Sequence, residues 1–224
     1  MLSSENLKSE IDKIWPKNGP SSNEVQKYLK KYKNEKIVVK CGGSILVDPK
    51  LFDVFIEDIS ILKKLGLSPI IVHGGGKRIN DKLKDLNISS NFIKGLRITD
   101  SITIKVVEDV LIQFNKEIKK ALKDKLCEAK SITSKECNII LVKSEREELG
   151  FVGIPTDIKA DILNKIKEIP IIAPLGLNED KQVFNINADN AAGAIAKKLK
   201  ARRLLMISDV EGVLDINNKL IPEI

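Results

Sequence analysis

The chain has 224 residues, enough for one large domain or two small ones, and enough to bury a core without disulfide or metal staples. Its 38 basic residues against 31 acidic ones leave a formal charge of +7, and all but five of the basic positions are lysines scattered along the chain. With only 4% aromatic residues there is no set of rings on which bases could stack, so the charge reads as a solvated surface that attracts anions, not as a nucleic-acid interface. His73 is the only histidine, and Cys41, Cys127 and Cys137 show no C-x-x-C spacing. These counts argue against a structural zinc site, a histidine-based triad and a disulfide framework, and unpaired thiols suit a reducing compartment. No apolar run is long enough to cross a bilayer, and the N-terminus, with Glu5, Glu10 and Asp12, lacks the order of a targeting peptide. The composition is that of a cytoplasmic protein.

Residues 1–22 are polar and end in the breaker cluster Asn18-Gly19-Pro20-Ser21-Ser22. A helix over about 23–33, capped by Ser22 or Asn23, carries Val25, Tyr28, Leu29 and Tyr32 in one apolar stripe. Such a helix docks on its own domain or binds a partner. Ile37-Val38-Val39 then predicts a buried strand, followed by Gly42-Gly43, and residues 51–65 predict a helix with Leu51, Val54, Phe55, Ile59 and Leu62 on one side. A second strand, Pro69–Val72, runs into His73-Gly74-Gly75-Gly76 and a helix to Leu86. A helix over 101–125, strands at 138–142, 169–175 and 204–207, and an alanine-rich helix at 189–199 complete the series. Residues 91–97, 149–156 and 177–187 read as hairpin or loop insertions. Alternating helices and doubly apolar strands predict an α/β fold with a largely parallel sheet covered on both faces.

Both glycine clusters follow directly on strands, where the open edge of a parallel sheet receives ligands. Glycine there lets main-chain N–H groups approach an anion, and a following helix adds its dipole. Neither cluster has the dinucleotide or P-loop spacing. Taken singly each is only a turn, but together, with Lys40 just before the first, they point to phosphate handling, the lysine answering charge on a transferring phosphoryl group. Gly95-Leu96-Arg97 offers a guanidinium fork for a carboxylate. Asn185-Ile186-Asn187-Ala188-Asp189 precedes the alanine-rich helix, where Asn187 or Asp189 is a suitable N-cap and Asn185 can face a ligand. His73 reads as a satisfied histidine, because a carboxylate acceptor is already ionised and needs no base. Cys41 beside Lys40 is either a small buried filler or a reactive thiol.

Five ordered segments, Val38-Val39-Lys40-Cys41-Gly42-Gly43-Ser44, Ile71-Val72-His73-Gly74-Gly75-Gly76, Gly95-Leu96-Arg97-Ile98-Thr99-Asp100, Asn185-Ile186-Asn187-Ala188-Asp189-Asn190-Ala191-Ala192-Gly193 and Ser208-Asp209-Val210-Glu211-Gly212-Val213-Leu214-Asp215, resemble the amino acid kinase family over about residues 36–224. The Gly-Leu-Arg-Ile-Thr-Asp element is similar to members acting on N-acetyl-L-glutamate, in preference to those acting on carbamate, aspartate or uridylate; acetylated aminoadipate is the neighbouring alternative.

The resemblance implies a three-layer αβα sandwich. It divides the chain into an extension (1–34), an amino-acid lobe (35–175) and the start of an ATP lobe (176–224). It implies phosphorylation of the γ-carboxylate of N-acetyl-L-glutamate by ATP, with Mg²⁺ carried on the nucleotide. By position, Lys40 stabilises the transition state and Asp189 orients it. Gly75, Gly76, Arg97 and Asn185 hold the acid, Arg97 at its α-carboxylate. Gly42 and Gly43 face the phosphates, and Asp209, Val210, Glu211, Gly212, Val213 and Leu214 border the nucleotide. No residue is assigned to a metal. A homodimer is implied, and a hexamer linked through the 23–33 helix.

Three departures from the family pattern accompany this. The chain ends at Ile224, ahead of a second transition-state lysine, which suggests a truncated kinase or a substrate-binding relative without turnover. Thr133-Ser134-Lys135-Glu136-Cys137 replaces a glycine-rich segment, so that loop is expected to change. Cys41 is the third.

Overall fold

The computed structural model describes residues 21–43, 45–208, 212, 215–217 and 219–221. In chain order the first half contains α1 (Ser22–Tyr32), β1 (Lys36–Cys41), α2 (Pro49–Lys64), β2 (Ser68–His73), α3 (Gly76–Asp85), β3 (Phe92–Ile93), β4 (Leu96–Arg97) and α4 (Thr103–Asp124). The second half contains β5 (Ala129–Ile132), β6 (Ile140–Ser144), β7 (Gly153–Ile158), α5 (Ala160–Lys165), β8 (Ile169–Ile172), β9 (Leu175–Leu177), β10 (Val183–Asn185), α6 (Ala188–Leu199) and β11 (Arg203–Ile207).

The central sheet is parallel throughout, in the order β11-β1-β2-β8-β5. Successive side chains on a strand face opposite ways, and the core divides accordingly. Val38, Ile70, Val72 and Ile172 pack with Ala191, Ala192 and Ile195 of α6 and with the second sheet. Val39, Ile71 and Ile171 pack beneath α2 and α4, around Phe55, Ile59, Phe114 and Ile118. Both faces are therefore apolar, which is why the strands read as unbroken hydrophobic runs. The expected α/β sandwich, with helices covering a mainly parallel sheet, is what forms.

A second sheet, β10-β9-β6-β7, joins β6 to β7 and β9 to β10 antiparallel, and β6 to β9 parallel. It accounts for most departures from the expected elements. The apolar run at 138–142 becomes β6, starting at Ile140 and lying in this sheet, not in the central one. The run at 169–175 is divided by Pro174, which has no N–H to donate; β8 ends before it in one sheet and β9 begins after it in the other. Residues 149–156 contribute β7, paired with β6 across Gly153–Ile158. β5 carries Lys130 and Ser131 between Ala129 and Ile132 and so shows no apolar run, although both end residues are buried.

Helices α1 and α2 begin at side-chain caps. Asp48 accepts from the N–H groups of Lys50 and Leu51, and Pro49 occupies the first turn of α2. Ser21 and Glu24 form a reciprocal capping box on α1, one residue ahead of the expected cap. Helix α1 docks on its own domain through buried Val25, and the Arg202 guanidinium lies 5.1 Å from the Tyr32 ring centre. Tyr28 is left 57% exposed on the same helix. The central sheet continues past residue 175, since Arg203–Ile207 pairs with Ile37–Cys41. Among the described residues, no helix is long and apolar enough to cross a membrane.

Candidate active site

Strands β1 and β2 are parallel neighbours with Cys41 opposite His73, so the turns after them emerge side by side at the carboxyl edge of the sheet. The Gly74 N–H donates to the Cys41 carbonyl at 2.9 Å. A Cβ on Gly43 would lie 3.1 Å from the Gly76 nitrogen and 3.4 Å from that of Gly75, so a side chain there would press the two turns apart by a few tenths of an ångström. Helix α3 starts at Gly76 with Gly75 as an N-cap that makes no side-chain bond. Its first-turn N–H groups have no acceptor within the helix, and with its dipole they form an anion-seeking end. Gly42 differs. Its N–H donates to the Ile207 carbonyl at 3.0 Å, so this amide is engaged within the sheet edge while the residue still lines the cleft.

Lys40, near the end of β1, reaches Asp189 in the first turn of α6, with Nζ 2.9 Å from Oδ1. The lysine side chain is 14% exposed and the aspartate 51%. Of the two candidate caps, Asn187 is the one used: its Oδ1 accepts from the N–H groups of Asp189 and Asn190 at 2.9 and 3.1 Å. That leaves the Asp189 carboxylate for the lysine. Asn185 ends β10, where its N–H donates to Phe151 at 2.9 Å.

Arg97 enters from the β3–β4 hairpin, whose tip needs Gly95 at φ +79°. The residue is buried, and burial pulls its pKa below the usual guanidinium value without making it neutral. Nη1 donates to Asn80 Oδ1 at 2.7 Å and to Ser90 Oγ, and Nη2 donates to the Gly76 carbonyl at 3.2 Å. The guanidinium also lies 4.7 Å from the Phe92 ring centre. Of five N–H donors, three are thus engaged and two have no partner among the described residues.

These groups share one cleft of about 210 Å³, lined by Lys40, Gly42, Gly43, Gly75, Gly76, Arg97, Asn185 and Asp189. Its walls add Ile79, Phe92, Leu111, Val152 and Pro174, which sequence reasoning did not single out. Asn80 was missed too, although it lies four residues after Gly76 and so on the same helix face. Of the expected nucleotide loop, Asp209, Val210, Glu211, Val213 and Leu214 lie outside the described residues; Gly212 is exposed and does not line the cleft. Among the described residues no group of three or more His, Cys, Asp or Glu side chains could hold a metal ion.

His73 is fully buried, and desolvation pushes its pKa down to about 4, so it is a neutral histidine and not a base facing the cleft. Burial pushes the Cys41 thiol up to about 12, which makes it a filler. The loop without glycines still turns: Cys137 itself adopts φ +58°, and Thr133 accepts from Glu136 N at 3.0 Å.

The family model described as the amino acid kinase family matches residues 35–224. The acetylglutamate kinase of Pelagibacter ubique (strain HTCC1062) is 64% identical over 218 residues, covering 96% of this chain and 76% of that protein. The acetylglutamate kinase of Rhodospirillum centenum (strain ATCC 51521 / SW) is 39% identical over 226 residues, covering 93% and 74%. The chain thus spans about three quarters of the length of these relatives. Among solved structures, smu.665 from Streptococcus mutans UA159 superposes with a TM-score of 0.75 at 28% identity, over 81% of this chain and 75% of that one. By family model, by sequence and by fold, the chain belongs to the amino acid kinase family.

Proposed function

We propose that the chain transfers the γ-phosphoryl group of ATP to the γ-carboxylate of N-acetyl-L-glutamate, giving N-acetyl-L-glutamyl 5-phosphate and ADP in the second step of arginine biosynthesis. The observation that carries this reading is the Lys40–Asp189 pair standing in the same cleft as the Gly43 and Gly75–Gly76 amides and Arg97. The acceptor carboxylate is ionised at neutral pH, so no base is needed. One of its oxygens bonds to the γ-phosphorus, the bond to the β,γ-bridging oxygen breaks, and that electron pair leaves with ADP. The protein's work is positioning and charge stabilisation.

Lys40 answers the charge on the transferring group, held on station by Asp189, while the Gly43 amide faces its oxygens and the Gly75 and Gly76 amides, where the acid's γ-carboxylate meets that group, hold the acid and reach the same oxygens. Arg97 takes the α-carboxylate with its two remaining donors, and Asn185 orients the acid. Mg²⁺ carried by the nucleotide would supply the charge that neutralises its phosphates, and no residue of this chain is assigned to hold it. Residues 35–175 act as the acid-binding lobe, and 176–224 begin the nucleotide lobe, with Asp209–Leu214 beside ATP. We place the enzyme in the cytoplasm, where Cys41, Cys127 and Cys137 stay free, as a homodimer that the exposed Tyr28 face of α1 can link into hexamers. A relative without turnover and an acetylaminoadipate kinase are not favoured, because the matched relatives are acetylglutamate kinases.

Hydroxylamine trapping of the acyl phosphate tests the reading with Lys40→Met. Losing the cation should lower kcat about 100-fold or more while calorimetric affinity for N-acetyl-L-glutamate stays within about twofold. Because Asp189 is half-exposed, the fold should lose no more than about 1 kcal/mol. A wild-type chain that forms no hydroxamate, or a Lys40→Met variant as fast as wild type, would overturn the reading.

A further inference from the structure

His73 closes β2 directly ahead of the glycine turn and is fully buried. No step above uses it. Its Nδ1 lies 3.2 Å from the Gly74 carbonyl oxygen and its Nε2 lies 3.2 Å from Nδ2 of Asn115, a buried residue of α4. The same Nδ2 is 2.8 Å from the Ile171 carbonyl in β8. A carbonyl only accepts, so the atom facing Ile171 is the amide nitrogen, and its second hydrogen points to Nε2. Nε2 is then the acceptor, and the ring proton sits on Nδ1, where it donates to Gly74. Phe114 packs edge-on against the imidazole, with ring centres 5.2 Å apart at 80°, and holds its plane.

Two further facts point past simple packing. The Asn115 Oδ1 is buried with no partner among the described residues, and an orphaned acceptor typically costs about 1–3 kcal/mol. A leucine would fill similar space without that penalty. The Gly74 carbonyl also shares one planar trans peptide with the Gly75 N–H, and the two point in opposite directions. Fixing the oxygen on the His73 side therefore fixes the hydrogen on the other, where the Gly75 nitrogen lies 3.4 Å from the Cβ position of Gly43.

We propose that Asn115 and His73 are positioning residues: Asn115 holds the imidazole as the Nδ1–H tautomer, the imidazole pins the Gly74 carbonyl, and the Gly75 N–H is thereby aimed at the phosphoryl group. This rests on the kinase reading for its last link only. The relay ties β8, β2 and α4 to the turn that receives the anion, so that the amide needs no reorganisation when charge develops.

Because His73 is the only histidine, ¹⁵N labelling of histidine in the full chain reports this ring alone. The expected spectrum at neutral pH is a pyrrole-type Nδ1 and a pyridine-type Nε2. The opposite tautomer or a charged ring would overturn the proposal without need of any variant. In the kinase assay, His73→Asn, which places its amide near the Nδ1 position, should keep kcat within about threefold of wild type. His73→Gln, which reaches the Nε2 position and leaves Gly74 without a donor, should lose about tenfold in kcat with KM for the acid unchanged. A role in packing alone predicts the reverse order, because glutamine is nearer to histidine in size; kcat for His73→Gln equal to or above His73→Asn would refute the relay. A wild-type chain that shows the Nδ1–H signature yet makes no acyl phosphate would sink the kinase reading and leave the tautomer assignment standing.

Discussion

Adding one methyl group at Gly43 probes the contact between the two glycine turns. The new carbon would stand 3.1 Å from the Gly76 nitrogen and 3.4 Å from the Gly75 nitrogen. Unstrained heavy-atom contacts sit near about 3.5 Å, so the turns must part by roughly 0.4 Å. Both neighbours are main chain at a helix start and cannot rotate aside as a side chain would. Overpacking of this kind costs about 1–3 kcal/mol. A reacting group misplaced by 1 Å can lose about 100-fold, so a shift of roughly 0.4 Å scales to about five- to tenfold in kcat. Gly43→Ala should therefore lose both stability in urea and hydroxamate turnover, with KM for the acid moving less than kcat. Gly76→Ala is the folding control, because its Cβ would meet nothing within 4 Å and its stability should match wild type. Wild-type kcat in Gly43→Ala, or a Gly76→Ala destabilised as much, would refute the close apposition of the turns.

Three further outcomes follow from the same geometry. Arg97→Lys removes the fork and its bonds to Asn80 and Gly76, so KM for N-acetyl-L-glutamate should rise about 10- to 100-fold; an unchanged KM would remove Arg97 from acid binding. The pKa of His73 is near 4 in the fold against 6.5 for an ordinary histidine. The unfolded chain thus binds more protons between those values, and stability is complete above pH 6.5 and falls with acidification towards pH 4. About 2 kcal/mol should be lost between pH 7 and pH 5 in urea titrations, and His73→Asn should flatten that slope; an unaltered slope would contradict the burial of His73. Cys137→Gly relieves a left-handed residue at φ +58° and should raise the urea midpoint by about 0.5–1 kcal/mol of stability; a lower midpoint would show that the loop is not strained there.

Apart from the six-residue α5, too short to show a period and not expected from the sequence, the helices were the most legible elements, because a one-sided apolar face is local. Asp48 with Pro49 opens α2, and Asn187 opens α6, each close to where the pattern places it. The central strands β1 and β2 were equally plain, since burial on both faces leaves no alternation to decode. β5 was not, because its buried Ser131 and half-buried Lys130 hide the strand in a polar tetrapeptide. The same holds for the guanidinium cage. Asn80 and Ser90 come from a helix and a loop, and no spacing in the chain relates them to Arg97; Phe92 alone sits opposite it by hairpin register.

What the amino-acid order determined by itself is the class of the fold and the chemical types at the site: a lysine and two glycine turns behind strands, a guanidinium on a hairpin, a capped helix with an aspartate. Those are short-range properties, set by propensity, hydrophobic period and capping within a few residues. Only the tertiary structure decided which of these groups meet. It placed the 138–142 run in a second sheet, engaged the Gly42 amide with Ile207, and set Asp189 against Lys40 across 149 positions of sequence. Register between parallel strands and the packing of layers bring distant segments together, and that information resides in the summed burial of the whole chain, not in any one stretch of it.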